Sequence, residues 1–441
     1  MIFGKTKSVC PVCLRVLDAS KRAERDGIFL DKNCPEHGLF TALIWEGNLA
    51  SYLRWNAENT VSDPPRNGCA ADRGCPYDCG LCTEHLRKGC CMLLELTKRC
   101  NLRCPVCFAS AGKETDSEDL PLTEIERQYD YMMAHGGPFN IQLSGGEPTI
   151  RDDLPEIIQM GREKGFSFFQ LNTNGLRLAA EAEYAQELRD AGLNTVFLQF
   201  DSVTDEAYQI LRGRPLMAEK MEAIRNCAAA GLGIVLVPVI AAGVNEHEIG
   251  QILRFAMDHM PAVRGVHFQP LSYFGRCHLK RPERPVTIPR ILKEIEEQTN
   301  GAMKAADFTG GGAENPYCSF HASYRINRNG ELKCLPRRSG GACCCTSSDD
   351  SRNSVAEQWR GPEQIEFTED ALTETLSLDT FLEQARAKTF AVSGMVFQDA
   401  WNLDLDRLKR CHICELDSQY GMVPFCAYNL TDSSGKALYR R

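Results

Sequence analysis

The stretch Cys100-Asn101-Leu102-Arg103-Cys104-Pro105-Val106-Cys107-Phe108, directly after the apolar run Met92 to Leu96, decides how this chain is read. A cubane 4Fe-4S cluster has four iron corners, and three thiolates on one tight loop hold only three of them. The fourth iron stays open to a small chelating ligand, to which a reduced cluster can pass an electron. A zinc knuckle shares the spacing Cys104-x2-Cys107, but knuckles usually come as two such pairs, and here a third cysteine stands upstream on the same loop. The spacing points to chemistry rather than to a structural staple.

Outward from this loop, short β-branched or aromatic runs alternate with longer amphipathic ones. Met92–Leu96, Phe139–Leu143, Ser167–Leu171, Thr195–Phe200, Ile234–Ile240 and Gly265–Gln269 read as strands. A helix is expected from the capping box Thr123-x-x-Glu126 to a stop at Gly136-Gly137, and others over about 153 to 164, 179 to 191, 216 to 230, 246 to 259 and 288 to 299. Six such units imply parallel strands with right-handed crossovers, hence an α/β fold built on an open, partial (β/α)6 barrel rather than a closed eightfold one. Ligands of such sheets bind beyond the carboxyl ends of the strands. The Cys100 to Cys107 loop lies beyond the first.

The chain of 441 residues has room for two or three domains. Three segments are expected: a Cys-rich metal-binding segment 1–90, the barrel 91–305, and a Cys-containing C-terminal segment 306–441. A formal net charge of -9 without a block of like charge argues against a nucleic-acid partner. The opening Met1 to Lys7 carries no signal-like apolar region, and the longest apolar stretch, Ile234 to Val244, is too short and too Pro-interrupted to span a bilayer, so a cytoplasmic protein without a transmembrane segment is expected. In that compartment 22 cysteines do not form a disulfide framework and read as metal ligands. Twelve precede residue 108 and eight lie from Cys318 onward, so metal sites flank a Cys-poor centre.

Cys75-x3-Cys79-x2-Cys82 repeats the central spacing, but no strand precedes it, and Cys69, Cys90 and Cys91 lie close enough in sequence to complete a fourth ligand position. It reads as a filled auxiliary cluster. The central triplet instead has matching strand ends. Ser144-Gly145-Gly146-Glu147-Pro148 closes the second strand, with glycines that allow close ligand approach and a carboxylate suited to an ammonium group. Asn172-Thr173-Asn174-Gly175 closes the third and Gln199-Phe200-Asp201-Ser202 the fourth, both offering small polar groups suited to ribose hydroxyls.

This order of Cys100-x3-Cys104-x2-Cys107, Gly145-Gly146-Glu147-Pro148 and Asp201 resembles the radical S-adenosylmethionine (radical SAM) superfamily over roughly residues 92 to 300. The resemblance implies that the amino and carboxylate groups of SAM chelate the open iron of the cluster on Cys100, Cys104 and Cys107. It further implies that Gly145, Gly146 and Glu147 meet the methionine amino group, that Asn174 and Asp201 meet the ribose, that Val106 or Phe108 packs on adenine, and that Asn245 makes a further polar contact. The flanks Cys10-x2-Cys13, Cys34-x2-His37, Cys75-x3-Cys79-x2-Cys82-x2-His85 and Glu95-Leu96-Thr97 resemble the radical SAM methyltransferases of methanopterin biosynthesis and the tetraether lipid synthases.

Cys10, Cys13, Cys34 and His37 fit one tetrahedral zinc or rubredoxin-like iron site, with Cys69 as an alternative to His37. Cys318, Cys334, Cys411, Cys414 and Cys426 are candidates for a second auxiliary 4Fe-4S cluster, against the alternative of buried free thiols. Cys343, Cys344 and Cys345, being adjacent, cannot easily converge on one cubane. His135, His259 and His267 read as structural, and Tyr273 either faces the cavity or packs in its loop. The expected function is an oxygen-sensitive radical SAM enzyme, served by a ferredoxin- or flavodoxin-type low-potential donor. A 5'-deoxyadenosyl radical abstracts hydrogen from an unactivated carbon, and methylation or carbon-carbon bond formation follows on a pterin-like or lipid small molecule. A peptide-modifying radical SAM enzyme, or a non-catalytic iron-sulfur carrier or scaffold, would explain the cysteines differently.

Overall fold

Alternating short strands with tight turns fold the N-terminal segment into an antiparallel meander of β1 (Ile2–Val9), β2 (Val16–Ala23), β3 (Gly27–Cys34) and β4 (Gly38–Glu46). Its turns carry Cys10 and Cys13 between β1 and β2, and His37 between β3 and β4. The meander is fastened to the end of the chain by the buried Lys32, whose Nζ donates to Ser8 Oγ (3.0 Å), Ala400 O (2.7 Å) and Trp401 O (2.9 Å). All three ammonium protons are satisfied in this way, although burial still lowers the pKa of Lys32 to about 7. The computed structural model describes residues 1–55, 63–65, 68–112, 119–311, 314–327, 330–336, 348–361, 388–419 and 421–440; Cys343, Cys344 and Cys345 lie outside them.

The barrel begins with β5 (Cys91–Thr97), followed by the two-residue β6 (Val106–Cys107), β7 (Asn140–Gly145), β8 (Phe169–Thr173), β9 (Thr195–Gln199), β10 (Gly233–Val237), β11 (Val239–Ile240) and β12 (Val263–Pro270). Strands β5, β7, β8, β9, β10 and β12 lie parallel and adjacent in chain order, as the alternation predicts. Helices such as Leu154–Glu163 and Ile249–Asp258 cover the outer face, burying Ile157, Ile158, Ile252 and Leu253 against it. β13 (Arg276–Cys277) pairs antiparallel with β6 and so stitches the Cys100 to Cys107 loop to the end of β12.

The sheet extends past these six strands on both sides. β14 (Ser319–Ile326), β15 (Leu332–Cys334) and β16 (Thr389–Met395) continue one edge, with β16 parallel to β12. β17 (Ile413–Asp417), parallel to β5, and β18 (Gly421–Pro424) continue the other. The C-terminal segment therefore supplies both flanks of the barrel, and its residues meet across the seam. Arg407, just before β17, donates through Nη2 to Tyr317 O (2.9 Å) and to Val396 O (3.4 Å) beyond β16, while His412 Nε2 lies 3.5 Å from Glu314. Helix Ser348–Trp359 covers the opposite end of the strands, where Thr195 Oγ1 donates to Trp359 O (2.8 Å) and Asn140 Nδ2 to Arg352 O (2.9 Å).

Local expectations change in three places. The helix expected to open on Thr123 starts at Leu122 behind Pro121, with no side-chain cap, so the Thr123/Glu126 box does not form. Pro121 occupies the N-cap position and has no side-chain oxygen to offer the first N–H groups. The helix expected from 179 to 191 is two, Leu176–Ala180 and Ala182–Ala191, broken at the extended Glu181. The strand Ile234–Ile240 breaks at Pro238, which has no N–H for the ladder. Among the described residues no helix is long and apolar enough to cross a membrane.

Candidate metal and substrate chamber

A cavity of about 2010 Å³ fills the barrel, and Cys100, Cys104 and Cys107 stand on its wall together with Val106, Phe108 and the Gly145 to Glu147 turn. The loop is held from several sides. Arg276 donates from Nε to Cys104 O (2.7 Å), from Nη1 to Ser110 O (3.2 Å) and from Nη2 to Ala111 O (2.8 Å). Leu102 N–H points at Cys100 Sγ at 3.4 Å. Burial pushes the Cys100 thiol up to about 12 and raises Cys104 as well, and the thiols add to each other's cost of ionising. Such thiols become good ligands once a metal displaces their protons. Three thiols on one loop lining a chamber suit a cluster with one iron left for a ligand.

The glycines of the second strand end also hold the cysteine loop. Gly145, at φ +120°, would place a Cβ 2.4 Å from Thr97 O, and a Cβ on Gly146 would lie 2.0 Å from Arg99 O. Their absent side chains let residues 97–99, which lead into Cys100, lie against the turn. The N–H groups of Gly146 and Glu147 donate to Thr97 O (2.7 Å) and Arg99 O (2.9 Å), so these backbone donors hold the loop rather than face a ligand. The Glu147 carboxylate accepts at Oε1 from Thr149 N (3.1 Å), Thr149 Oγ1 (2.7 Å) and Thr173 Oγ1 (2.7 Å), and at Oε2 from Asn174 N (2.7 Å). Asn174 itself donates through Nδ2 to Asn101 Oδ1 (2.7 Å), next to Cys100, and stays on the chamber wall.

Asp201 and Asn245, expected as ligand contacts, are not part of that wall. Asp201 is fully buried and forms a two-pronged ion pair with Arg212, Nε to Oδ2 at 2.6 Å and Nη2 to Oδ1 at 2.8 Å, while Val239 N–H adds a third bond (3.0 Å). Asn245 donates to Asp201 O and Val239 O, both at 2.8 Å, and accepts from Ala241 N at 2.9 Å. Both side chains fasten the strand end. Arg212, which sequence reading passed over, does face the chamber, with Nη1 donating to Val106 O (3.1 Å) and its charge acting on Cys104 and Cys107. Burial alone would weaken its hold on the proton, and Asp201 more than offsets that. It lies on helix Asp205–Arg212, and nothing in its local sequence separates it from a solvated helix-end arginine.

The remaining cysteines sort into groups. Cys10, Cys13, Cys34 and His37 bring their ligand atoms within 4.8 Å of one another, with His37 Nδ1 at 3.4 Å from Cys34 Sγ and 3.6 Å from Cys10 Sγ. A tetrahedral zinc with bonds of about 2.0–2.3 Å spaces its ligands similarly. Cys69 is not in this group; its thiol neighbours Cys82, beside the coupled pair Cys75 and Cys79. Cys90, expected as a fourth ligand of the first triplet, neighbours Cys414. The charge of Cys318 reaches Cys411 and Cys426, and that of Cys411 reaches Cys414 and Cys426. Cys334, on β15, has Asp307 rather than those thiols as its charged neighbour among the described residues.

His135 and His259 stack on Tyr131 and Phe255 one helical turn back, in structural roles. Tyr273 is not on the chamber wall; its backbone N–H donates to Asp399 Oδ2 (3.0 Å). His267, by contrast, lines the chamber.

The model of the radical SAM superfamily matches residues 94–256, and that of the HMPTM N-terminal zinc ribbon domain matches residues 2–46. The chain is 31% identical to 7,8-dihydro-6-hydroxymethylpterin dimethyltransferase of Methanocaldococcus jannaschii, over 96% of its own length and 93% of that protein's. It is also 31% identical to GTP 3',8-cyclase of Alkaliphilus oremlandii, over 55% of this chain and 80% of that one. Among solved structures, Streptococcus suis SuiB bound to precursor peptide SuiA matches with a TM-score of 0.41 at 16% identity, over 49% of this chain and 46% of that one. A relative that shares nearly the whole length, together with a matching barrel model around the Cys100 to Cys107 loop, makes this chain a member of the radical SAM superfamily.

Proposed function

We infer that this chain is a radical SAM methyltransferase acting on a pterin-like small molecule. The observation that carries the reading is the Cys100, Cys104 and Cys107 loop opening on the barrel chamber in a chain with a full-length pterin dimethyltransferase relative. A 4Fe-4S cluster on those thiolates with SAM bound would supply the one-electron cleavage that yields methionine and a 5'-deoxyadenosyl radical. Val106 and Phe108 would flank the adenine and Asn174 the ribose, while the free side of Glu147 Oε2 would accept from the methionine ammonium. Asp201, Arg212 and Asn245 would act by holding that rim in place. The barrel and its C-terminal flanks would keep water from the radical.

Two auxiliary iron-sulfur sites fit the remaining groups. Cys69, Cys75, Cys79 and Cys82 would close one cluster with four ligands. Cys318, Cys411, Cys414 and Cys426 would hold another across the seam of the barrel. The site of Cys10, Cys13, Cys34 and His37 would take zinc, whose binding energy is folding energy for so small a sheet. The reductant would be a ferredoxin or flavodoxin. Anaerobic incubation with SAM, dithionite and 7,8-dihydro-6-hydroxymethylpterin tests the reading, with 5'-deoxyadenosine and consumption of the pterin expected. Deoxyadenosine formation that neither rises with the pterin nor alters it would refute the substrate assignment.

A further inference from the structure

Strands buried on both faces usually read as unbroken apolar runs. Here only the outward face obeys: Ile141, Leu143, Phe169, Leu171, Val196 and Leu198 are all at most 1% exposed. The inward face of the same strands carries side-chain amides. Gln142 on β7 is the register partner of Gln170 on β8, and Asn172 on β8 that of Phe197 on β9. Gln170 Nε2 donates to Asn172 Oδ1 (3.1 Å), and Asn172 Nδ2 to Gln142 Oε1 (3.3 Å). Past Phe197, whose ring lies 5.9 Å from that of His267, the belt closes with His267 Nδ1 and Ser393 Oγ at 2.9 Å. All six residues line the chamber that holds the cysteine loop.

Polar groups inside a barrel are costly unless they are hydrogen-bonded. The bonds among these amides leave much of their capacity unused, because each carboxamide brings two N–H donors and an oxygen with two lone pairs. None of the six belt residues is itself ionised, and the Glu314 carboxylate on the same chamber wall acts on His267. Burial lowers the pKa of His267 to about 4, which leaves the ring neutral. A carboxamide meets a heterocycle edge with one donor and one acceptor side by side, as Asn and Gln do on adenine. Phe197 adds a flat apolar face between amides and imidazole. A long alkyl chain would leave the unused donors and acceptors of these amides without partners, which costs free energy.

We propose that Gln142, Gln170, Asn172, Phe197, His267 and Ser393 form the substrate-reading wall, built for a flat, uncharged nitrogen heterocycle with alternating donors and acceptors on its edge, as in a pterin. The assignment rests on the pterin-methylating reading above and names the residues that carry its specificity.

The test is binding of 7,8-dihydro-6-hydroxymethylpterin, and of an analogue lacking the ring's 2-amino group, to anaerobic cluster-loaded protein by calorimetry. Wild type should prefer the pterin by at least about tenfold. Gln170→Leu and Asn172→Leu should each weaken pterin binding about tenfold to a hundredfold and narrow that preference. Iron content and thermal melting, read on the same samples, report whether the fold survives. Ser393→Ala, a smaller change, should weaken binding about threefold to tenfold and keeps the test decisive if a leucine variant does not fold. Wild type that binds the pterin while folded variants bind equally well and keep the preference overturns the wall and leaves the substrate reading intact. Wild type that cleaves SAM and ignores the pterin overturns both.

Discussion

Cys75, Cys79 and Cys82 follow one another at the same spacing as Cys100, Cys104 and Cys107, yet the two loops occupy opposite settings. The first lies away from the chamber, beside Cys69 and under the chain's tail, where Tyr439 Oη accepts from Cys79 N–H (2.9 Å) and donates to Pro76 O (2.6 Å). The second lies on the chamber wall, braced by Arg276 and by the Asp201–Arg212 pair. Spacing fixes how three thiolates can share a metallocentre. Whether a corner stays open depends on what stands across from them: Cys69 neighbours the first loop, and the second lines the chamber.

The comparison is most exposed to removal of one loop at a time. Replacing Cys100, Cys104 and Cys107 with alanine should abolish 5'-deoxyadenosine formation and remove about four iron atoms per chain; SAM cleavage surviving in that protein would end the assignment. The same change at Cys75, Cys79 and Cys82 should remove a similar amount of iron, but SAM should still perturb the EPR signal of the cluster that remains. If the perturbation goes and the central cluster stays, the two loops have been exchanged.

Smaller changes probe the braces. Arg212→Leu leaves Asp201 buried without its partner and should cost about 3–5 kcal/mol in chemical denaturation, whereas an unchanged midpoint would mean that the pair does not hold the rim. Tyr439→Phe removes two hydrogen bonds from the first loop only. It should cost about 1–2 kcal/mol and leave SAM binding, followed by the EPR shift, as it was; a weakened SAM response would show that the loops are coupled through the tail.

The six barrel strands and the reactive loop were legible because period and spacing are local properties. Met92 to Leu96 and Phe139 to Leu143 announce themselves as strands, and the order of Cys100, Gly145 and Asp201 along the chain identifies the rim. What each rim residue touches was not legible. Asp201 reads as a ligand group until Arg212, brought to it by a helix turn, is seen to hold both its oxygens. The partition of Cys69 to the first triplet and of Cys90 to the seam depends on contacts between segments far apart in sequence. The inward amides did leave a trace, since Asn140, Gln142 and Ser144 alternate with Ile141 and Leu143, the pattern of a strand whose inner face is wet. β16 and β17 were missed because their partners β12 and β5 lie far upstream.

Those late strands set an order of events during synthesis. The Cys100 to Cys107 loop leaves the ribosome early, while the outer edges of β5 and β12 remain bare until β17 and β16 follow. Unpaired edges invite pairing with other chains. Until the tail follows, the chamber around the loop lacks a wall strand at each edge. A chain released before residue 388 should accordingly be recovered as aggregate in pulse-labelling, and its soluble recovery would show that the first six strands guard their own edges.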